Sequence, residues 1–114
     1  LHLNDETSNL IGSKELDLMK KGSVLINVSR AGLVDYNSLL GKLNSNHIIG
    51  CGLDVYDKEP TSGDEPILQH PNVVATPHMA GSNRDIYEEA VNNAIVNFKR
   101  VRSGNKPNWI INGL

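Results

Sequence analysis

A single cysteine, Cys51, stands among the 114 residues, so no disulfide can form within the chain and no Cys/His spacing suits a zinc site. No metal is expected. Cys51 lies in "IIGCGL", where a small buried side chain is the expected role, and a reducing cytoplasm is the expected compartment. Apolar runs are short, far below the roughly 20 residues needed to cross a bilayer. A basic leader followed by an apolar stretch is also absent. The formal net charge is only -2, which gives no electrostatic reason to expect nucleic acid or an anionic membrane as partner. Internal repeats and low-complexity tracts are missing too. With 39% hydrophobic and 21% charged residues, the composition is that of an ordinary globular chain.

What is present alternates between two patterns. Ser13 followed by "KELDLMKKG" reads as a short helix, with Leu16 and Met19 on one face and Gly22 closing it. The run 24–28, "VLINV", shows no polar/apolar alternation and so reads as a strand covered on both faces, as in a parallel sheet. The "NVS" triplet at Asn27 matches a glycosylation acceptor but lies within that strand, and is read as chance. Asp35 caps a second helix carrying Leu39, Leu40 and Leu43, and "HIIGCGLDV" reads as a second buried strand. Residues 57–71 are polar and proline-rich, a loop with at most a turn of helix near Ile67 and Leu68. "NVVATP" is a third short strand stopped by Pro77. Ser82, with Asp85 three positions on, opens the longest helix. Its apolar face is Ile86, Ala90, Val91, Ala94, Ile95, Phe98 and Val101, and Gly104 and Pro107 end it. The tail "NWIINGL" is apolar enough to need a docking surface. This order predicts an α/β fold with a mostly parallel sheet and flanking helices. It holds fewer strands than such sheets usually carry, so an incomplete domain is expected.

Ligands of open parallel sheets bind beyond the carboxyl ends of the strands. The polar residues of this chain fall there. Ser29 and Arg30 leave the first strand, Asp54 leaves the second, and His78 follows the third; Glu59 can fold back from the loop between the last two. A guanidinium suits a carboxylate, and an imidazole beside an acid can pass a proton near neutrality. Together they would hold a 2-oxo or 2-hydroxy acid and serve its oxygen, with a nicotinamide as the usual hydride carrier on such a sheet. Taken singly, Arg30 equally suits a salt bridge, Asp54 a turn, Glu59 a solvated loop and His78 a structural role. His2, His47 and His70 have no comparable setting. "GCGLDV" begins like a dinucleotide fingerprint, but Val55 stands where its third glycine is required.

"LINVSRAGLVD", "GLDVYDKEP" and "NVVATPHMAG", in this order, closely resemble the D-isomer-specific 2-hydroxyacid dehydrogenases, phosphoglycerate dehydrogenase among them. The resemblance implies a C-terminal fragment of a two-domain, Rossmann-like NAD enzyme that is usually a homodimer. Residues 1–83 would be the second half of the NAD-binding domain, and 84–114 a long helix and tail returning to the substrate domain. It further implies that Arg30 binds the substrate carboxylate, that His78 is the acid/base and that Glu59 is its paired carboxylate. Asp54 would meet the nicotinamide carboxamide. Leu3, Val28, Ser29, Arg30, His78, Ala80 and Gly81 would line the cofactor, which is NAD, with NADP left open. Substrates would be of the 3-phosphoglycerate, glycerate, glyoxylate or D-lactate type. The same resemblance extends to NAD(H)-sensing corepressors of the C-terminal-binding-protein type, which use the fold to control association.

Overall fold

In a computed structural model describing residues 1–111, the chain divides into two compact units, one over residues 1–80 and one beginning at Gly81. The first contains α1 (Ser13–Leu18), β1 (Ser23–Asn27), α2 (Tyr36–Asn44), β2 (Ile48–Leu53) and β3 (Val73–Ala75). The strands form one parallel sheet in the order β1-β2-β3, as the alternation of patterns predicts. Short 3-10 turns at Ala31–Leu33 and Pro66–Gln69 fill two of the connections, the second at the Ile67 and Leu68 position expected from sequence.

Capping differs in detail from expectation. Gly12, not Ser13, precedes α1, and its amide donates to Glu15 Oε2 at 3.0 Å. The Glu15 side chain closes the first turn. α1 ends at Leu18, because Met19 is already extended, which leaves Lys20, Lys21 and Gly22 outside the helix. Lys42 Nζ of α2 meets Asp17 Oδ1 of α1 at 2.6 Å, tying the two helices at their surface. Asp35 does cap α2: its Oδ1 accepts from the amides of Asn37 at 3.0 Å and Ser38 at 3.1 Å. The backbone of Asp35 is fixed in turn by its amide donating to the Ile11 carbonyl.

The core lies on one side of the sheet only. Leu16, Leu33, Leu39, Leu43, Ile48, Cys51, Leu53 and Ile67 are all buried there, and burial pushes the Cys51 thiol up to about 11. Ser23 pairs with Ile48 but Val24 pairs with Gly50, so Ile49 is an extra residue in β2. This bulge lets Ile48 and Cys51 both turn inward. The opposite face is open. Val24, Ile26 and Val74 stand exposed, Ile26 at 71%, and the residues opposite Val24 and Ile26 on β2 are Gly50 and Gly52. The unbroken apolar run of β1 predicts cover on both faces; among the described residues of this unit, only one face has it.

The second unit is built on α3 (Arg84–Arg102). Asn83 caps it, its side chain accepting from the Ile86 amide at 3.0 Å, rather than the Ser82 expected from spacing. Gly104, with φ +75, takes the left-handed conformation that ends the helix. The chain then folds back: Asn108 donates its amide to Asn97 Oδ1 at 2.7 Å, and Arg100 Nε donates to the Lys106 carbonyl at 2.8 Å. The apolar stripe from Ile86 to Val101 forms at helical spacing, yet no residue of α3 is buried. Trp109 and Ile111 are exposed, and the end of the apolar tail, 112–114, lies outside the described residues. No helix among the described residues is long and apolar enough to cross a membrane.

The one-sided core has a measurable consequence. Leu39→Ala is expected to cost about 2–5 kcal/mol, whereas Ile26→Ala on the open face should change stability by less than about 0.5 kcal/mol. Urea denaturation midpoints of the two variants at unchanged slope check this.

Candidate active site

The parallel register brings three chain exits to one rim. The two outer exits are shaped by buried polar side chains at the ends of β1 and β2. Asn27, buried at the last position of β1, donates Nδ2 to the Arg30 carbonyl at 2.9 Å and accepts the Ser29 amide on Oδ1 at 3.1 Å. Both ends of one amide thus bend the chain at Ser29 and Arg30. Tyr36 secures the same corner: its hydroxyl donates to the Val55 carbonyl at 3.0 Å and lies 3.2 Å from Asn27 Nδ2. Burial pushes the Tyr36 phenol up to about 12. The sequence reading set Asn27 aside as a chance glycosylation triplet. The available signal was a lone amide where an apolar strand ends.

Asp54 is 2% exposed. A carboxylate so deeply placed must find donors, and it finds three: Thr76 Oγ1 at 2.5 Å, the Met79 amide at 2.8 Å and the Ala80 amide at 2.8 Å. These bonds, the Thr76 hydroxyl foremost, hold its carboxyl below the usual carboxylate range. His78 lies between those contacts with φ 52, in the left-handed region that residues with a β-carbon seldom adopt.

His78 Nδ1 is 2.6 Å from Glu59 Oε2, and both side chains are partly exposed. Glu59 Oε1 accepts the Tyr56 amide at 2.9 Å, so the two oxygens are committed to different partners. The His78 contact, followed by the Tyr56 amide, draws the Glu59 carboxyl below its usual range, and the positive charge of Arg30 adds to this. His78 and Glu59 thus meet at the rim, and the charge of Arg30 reaches Glu59. Arg30 itself is exposed, with Nη1 donating to the Ser29 carbonyl at 2.7 Å. Tyr56, which the sequence reading did not single out, carries a hydroxyl 2.9 Å from both the Leu53 and Thr76 carbonyls. A cavity of about 450 Å³ opens against the pair, lined by Tyr56, Glu59, Pro60, Thr61, Pro77 and His78.

The remaining expected residues fall as follows. Val28 is exposed at the β1 exit. Ser29 Oγ donates to the Leu1 carbonyl at 3.2 Å, which lays the first residues beside that exit. Leu3 packs on Gly32, where an added β-carbon would stand 3.0 Å from the end of the Leu3 side chain. Ala80 ends the first unit and Gly81 begins the second. Among the described residues, no cluster of ligating side chains could hold a metal.

The lowered carboxyls fix the sign of the pH response. As pH falls, the unfolded chain takes up protons before the native one, so the stability from Asp54 and Glu59 is complete above their ordinary values and is lost as pH drops through the lowered native ones. The thermal midpoint is expected to be flat from neutrality to about pH 5 and to fall below about pH 4. In Glu59→Gln the fall should be shallower. Melts recorded across this range check it.

Residues 1–80 match the family model described as D-isomer specific 2-hydroxyacid dehydrogenase, NAD binding domain. The chain is 42% identical over 85 residues to glyoxylate/hydroxypyruvate reductase B of Cronobacter sakazakii, covering 75% of this chain and 26% of that protein. It is 40% identical over 89 residues to D-3-phosphoglycerate dehydrogenase of Escherichia coli, covering 75% and 22% respectively. Among solved structures, the NAD-complexed D-isomer specific 2-hydroxyacid dehydrogenase of Lactobacillus delbrueckii ssp. bulgaricus superposes with a TM-score of 0.83 at 31% identity, over 98% of this chain and 38% of that one. The chain thus spans about a quarter of the length of the two curated relatives. With the motif order, the parallel sheet and the matched model in agreement, the chain belongs to the D-isomer specific 2-hydroxyacid dehydrogenase family, and residues 1–80 correspond to its NAD-binding domain.

Proposed function

We propose that the protein carrying this sequence interconverts a 2-oxo acid and its D-2-hydroxy acid with NAD(H). Its first 83 residues would supply the second half of the cofactor domain together with the acid/base pair, and the helix and tail from 84 would return to a substrate domain. The observation that carries this reading is the 2.6 Å contact between His78 Nδ1 and Glu59 Oε2, on the rim that also bears Arg30. Small acids of the glyoxylate, hydroxypyruvate or phosphoglycerate type are the proposed substrates, in line with the named relatives.

The residues at the rim fit a nicotinamide. Val28 offers an exposed apolar side chain, and the backbone of Ser29 lies beside it. When bound, the nicotinamide supplies the hydride that the carbonyl carbon needs. The protein's own groups do the rest. Arg30 presents a planar fork of donors to the substrate carboxylate and stabilises charge growing on the adjacent oxygen. Glu59 engages Nδ1 of His78, which leaves Nε2 to hold the mobile proton. In the reducing direction Nε2 gives that proton to the new hydroxyl oxygen; in the oxidising direction it takes the proton back.

The test uses the longest natural protein that contains this sequence. It is expected to oxidise NADH in the presence of glyoxylate, hydroxypyruvate or a related 2-oxo acid. His78→Asn should lower kcat by roughly 10²–10⁴-fold with an unchanged circular dichroism spectrum, and Arg30→Gln should mainly raise the KM for the oxo acid. The 114-residue chain alone, which has no glycine-rich pyrophosphate loop, should give no turnover. Full activity in His78→Asn would remove the proposal.

A further inference from the structure

His78 occupies a backbone conformation that it would not choose. Its φ of 52 lies in the left-handed region, a strain that neighbouring structure must offset. The Tyr56 hydroxyl and the His78 amide both donate to the Thr76 carbonyl, and one side chain reaches both flanks of the turn. Asp54 Oδ1 accepts the Met79 amide and the Thr76 hydroxyl, and Oδ2 accepts the Ala80 amide. The carboxylate thus brackets His78 from both sides, through the hydroxyl two residues before it and the amides one and two residues after it. Its own base is rigid, because the Asp54 amide donates to the Asn27 carbonyl at 3.0 Å and continues the β1-β2 ladder.

We propose that Asp54, held by Thr76, is the positioning residue of the acid/base pair: its buried carboxylate sets the turn at Met79 and Ala80, and so aims the His78 imidazole at Glu59 before any cofactor binds. The inference rests on the reading of His78 as the acid/base. It differs from a role for Asp54 as a cofactor contact, because it acts in the cofactor-free protein and through atoms that are already within hydrogen-bond distance.

The decisive measurement is made without cofactor on the wild-type protein and on Asp54→Asn, Thr76→Val and Thr76→Ser. Amide hydrogen exchange is followed at Met79 and Ala80, with Cys51, whose amide donates to the Asn72 carbonyl, as the control. The His78 Nδ1 proton resonance reports the contact with Glu59. In Asp54→Asn, an amide nitrogen replaces one acceptor oxygen, so exchange at Met79 and Ala80 should quicken by about tenfold or more and the Nδ1 resonance should broaden or vanish. Thr76→Val should show the same changes at several-fold, and Thr76→Ser, which keeps the hydroxyl, should restore wild-type behaviour. In the assay, Asp54→Asn should lower kcat while the KM for the oxo acid stays within about twofold.

Unchanged exchange and an unchanged His78 resonance in Asp54→Asn would overturn the proposal, whatever happens to activity. If Asp54→Asn also exposes Cys51, the protein has unfolded and Thr76→Val decides: selective loss of protection at Met79 and Ala80 supports the proposal, and none refutes it. Altered exchange in a protein that never oxidises NADH would instead refute the proposed reaction while leaving the turn's anchorage in place.

Discussion

A carboxylate cannot be buried without donors, and that requirement organises the carboxyl rim of this sheet. Asp54 sits where the middle strand ends, withdrawn from water. The chain that leaves the neighbouring strand must therefore return over it, delivering a hydroxyl and two amides. The His78 turn is the shape this return takes. Asn27 does the same at the end of β1 with a neutral amide, bending the chain at Ser29 and Arg30. Two polar side chains on adjacent strand ends, joined through the Asp54 amide and the Asn27 carbonyl, thus place the two loops on which the chemistry depends.

The sequence is most legible where a local rule acts alone. The Asp35 cap, the glycine after α3 and the three strands were readable because each depends on a few neighbouring residues. Legibility fails where a local rule has two solutions. Gly12 and Ser13 compete to start α1, and Glu15 settles the matter by reaching back to the glycine amide. Ser82 and Asn83 compete in the same way for α3. The continuous apolar run of β1 could not reveal which of its faces is covered within this chain, since periodicity reports what a strand is able to bury and not what is present to bury it. Val24 and Ile26 are the result.

For the site, the residue types at the strand exits and the resemblance of three linked motifs led to Arg30, Glu59 and His78. The contact between His78 and Glu59 and the influence of Arg30 on Glu59 agree with a common rim. What stayed hidden was the support beneath them. Asn27 and Tyr56 carry no chemistry of their own and mostly bond backbone atoms at the strand exits, while Thr76 bonds the Asp54 carboxylate. No spacing rule links Thr76 to Asp54, because the loop between them can take many paths. Only the parallel register brings them together.

The Tyr56 phenol has a consequence of another kind. It lies equally close to the Leu53 carbonyl that ends β2 and the Thr76 carbonyl just beyond β3, yet a phenol owns one hydrogen. That hydrogen must be divided between two acceptors or alternate between them, and the seam beneath it is closed by backbone: the Thr76 amide donates to the Leu53 carbonyl at 2.9 Å, as the Asp54 amide donates to the Asn27 carbonyl at 3.0 Å on the other side. The phenol is therefore a clasp laid over a closed joint, and since the Tyr56 amide donates to Glu59, it ties the ends of two strands to the residue that meets the imidazole.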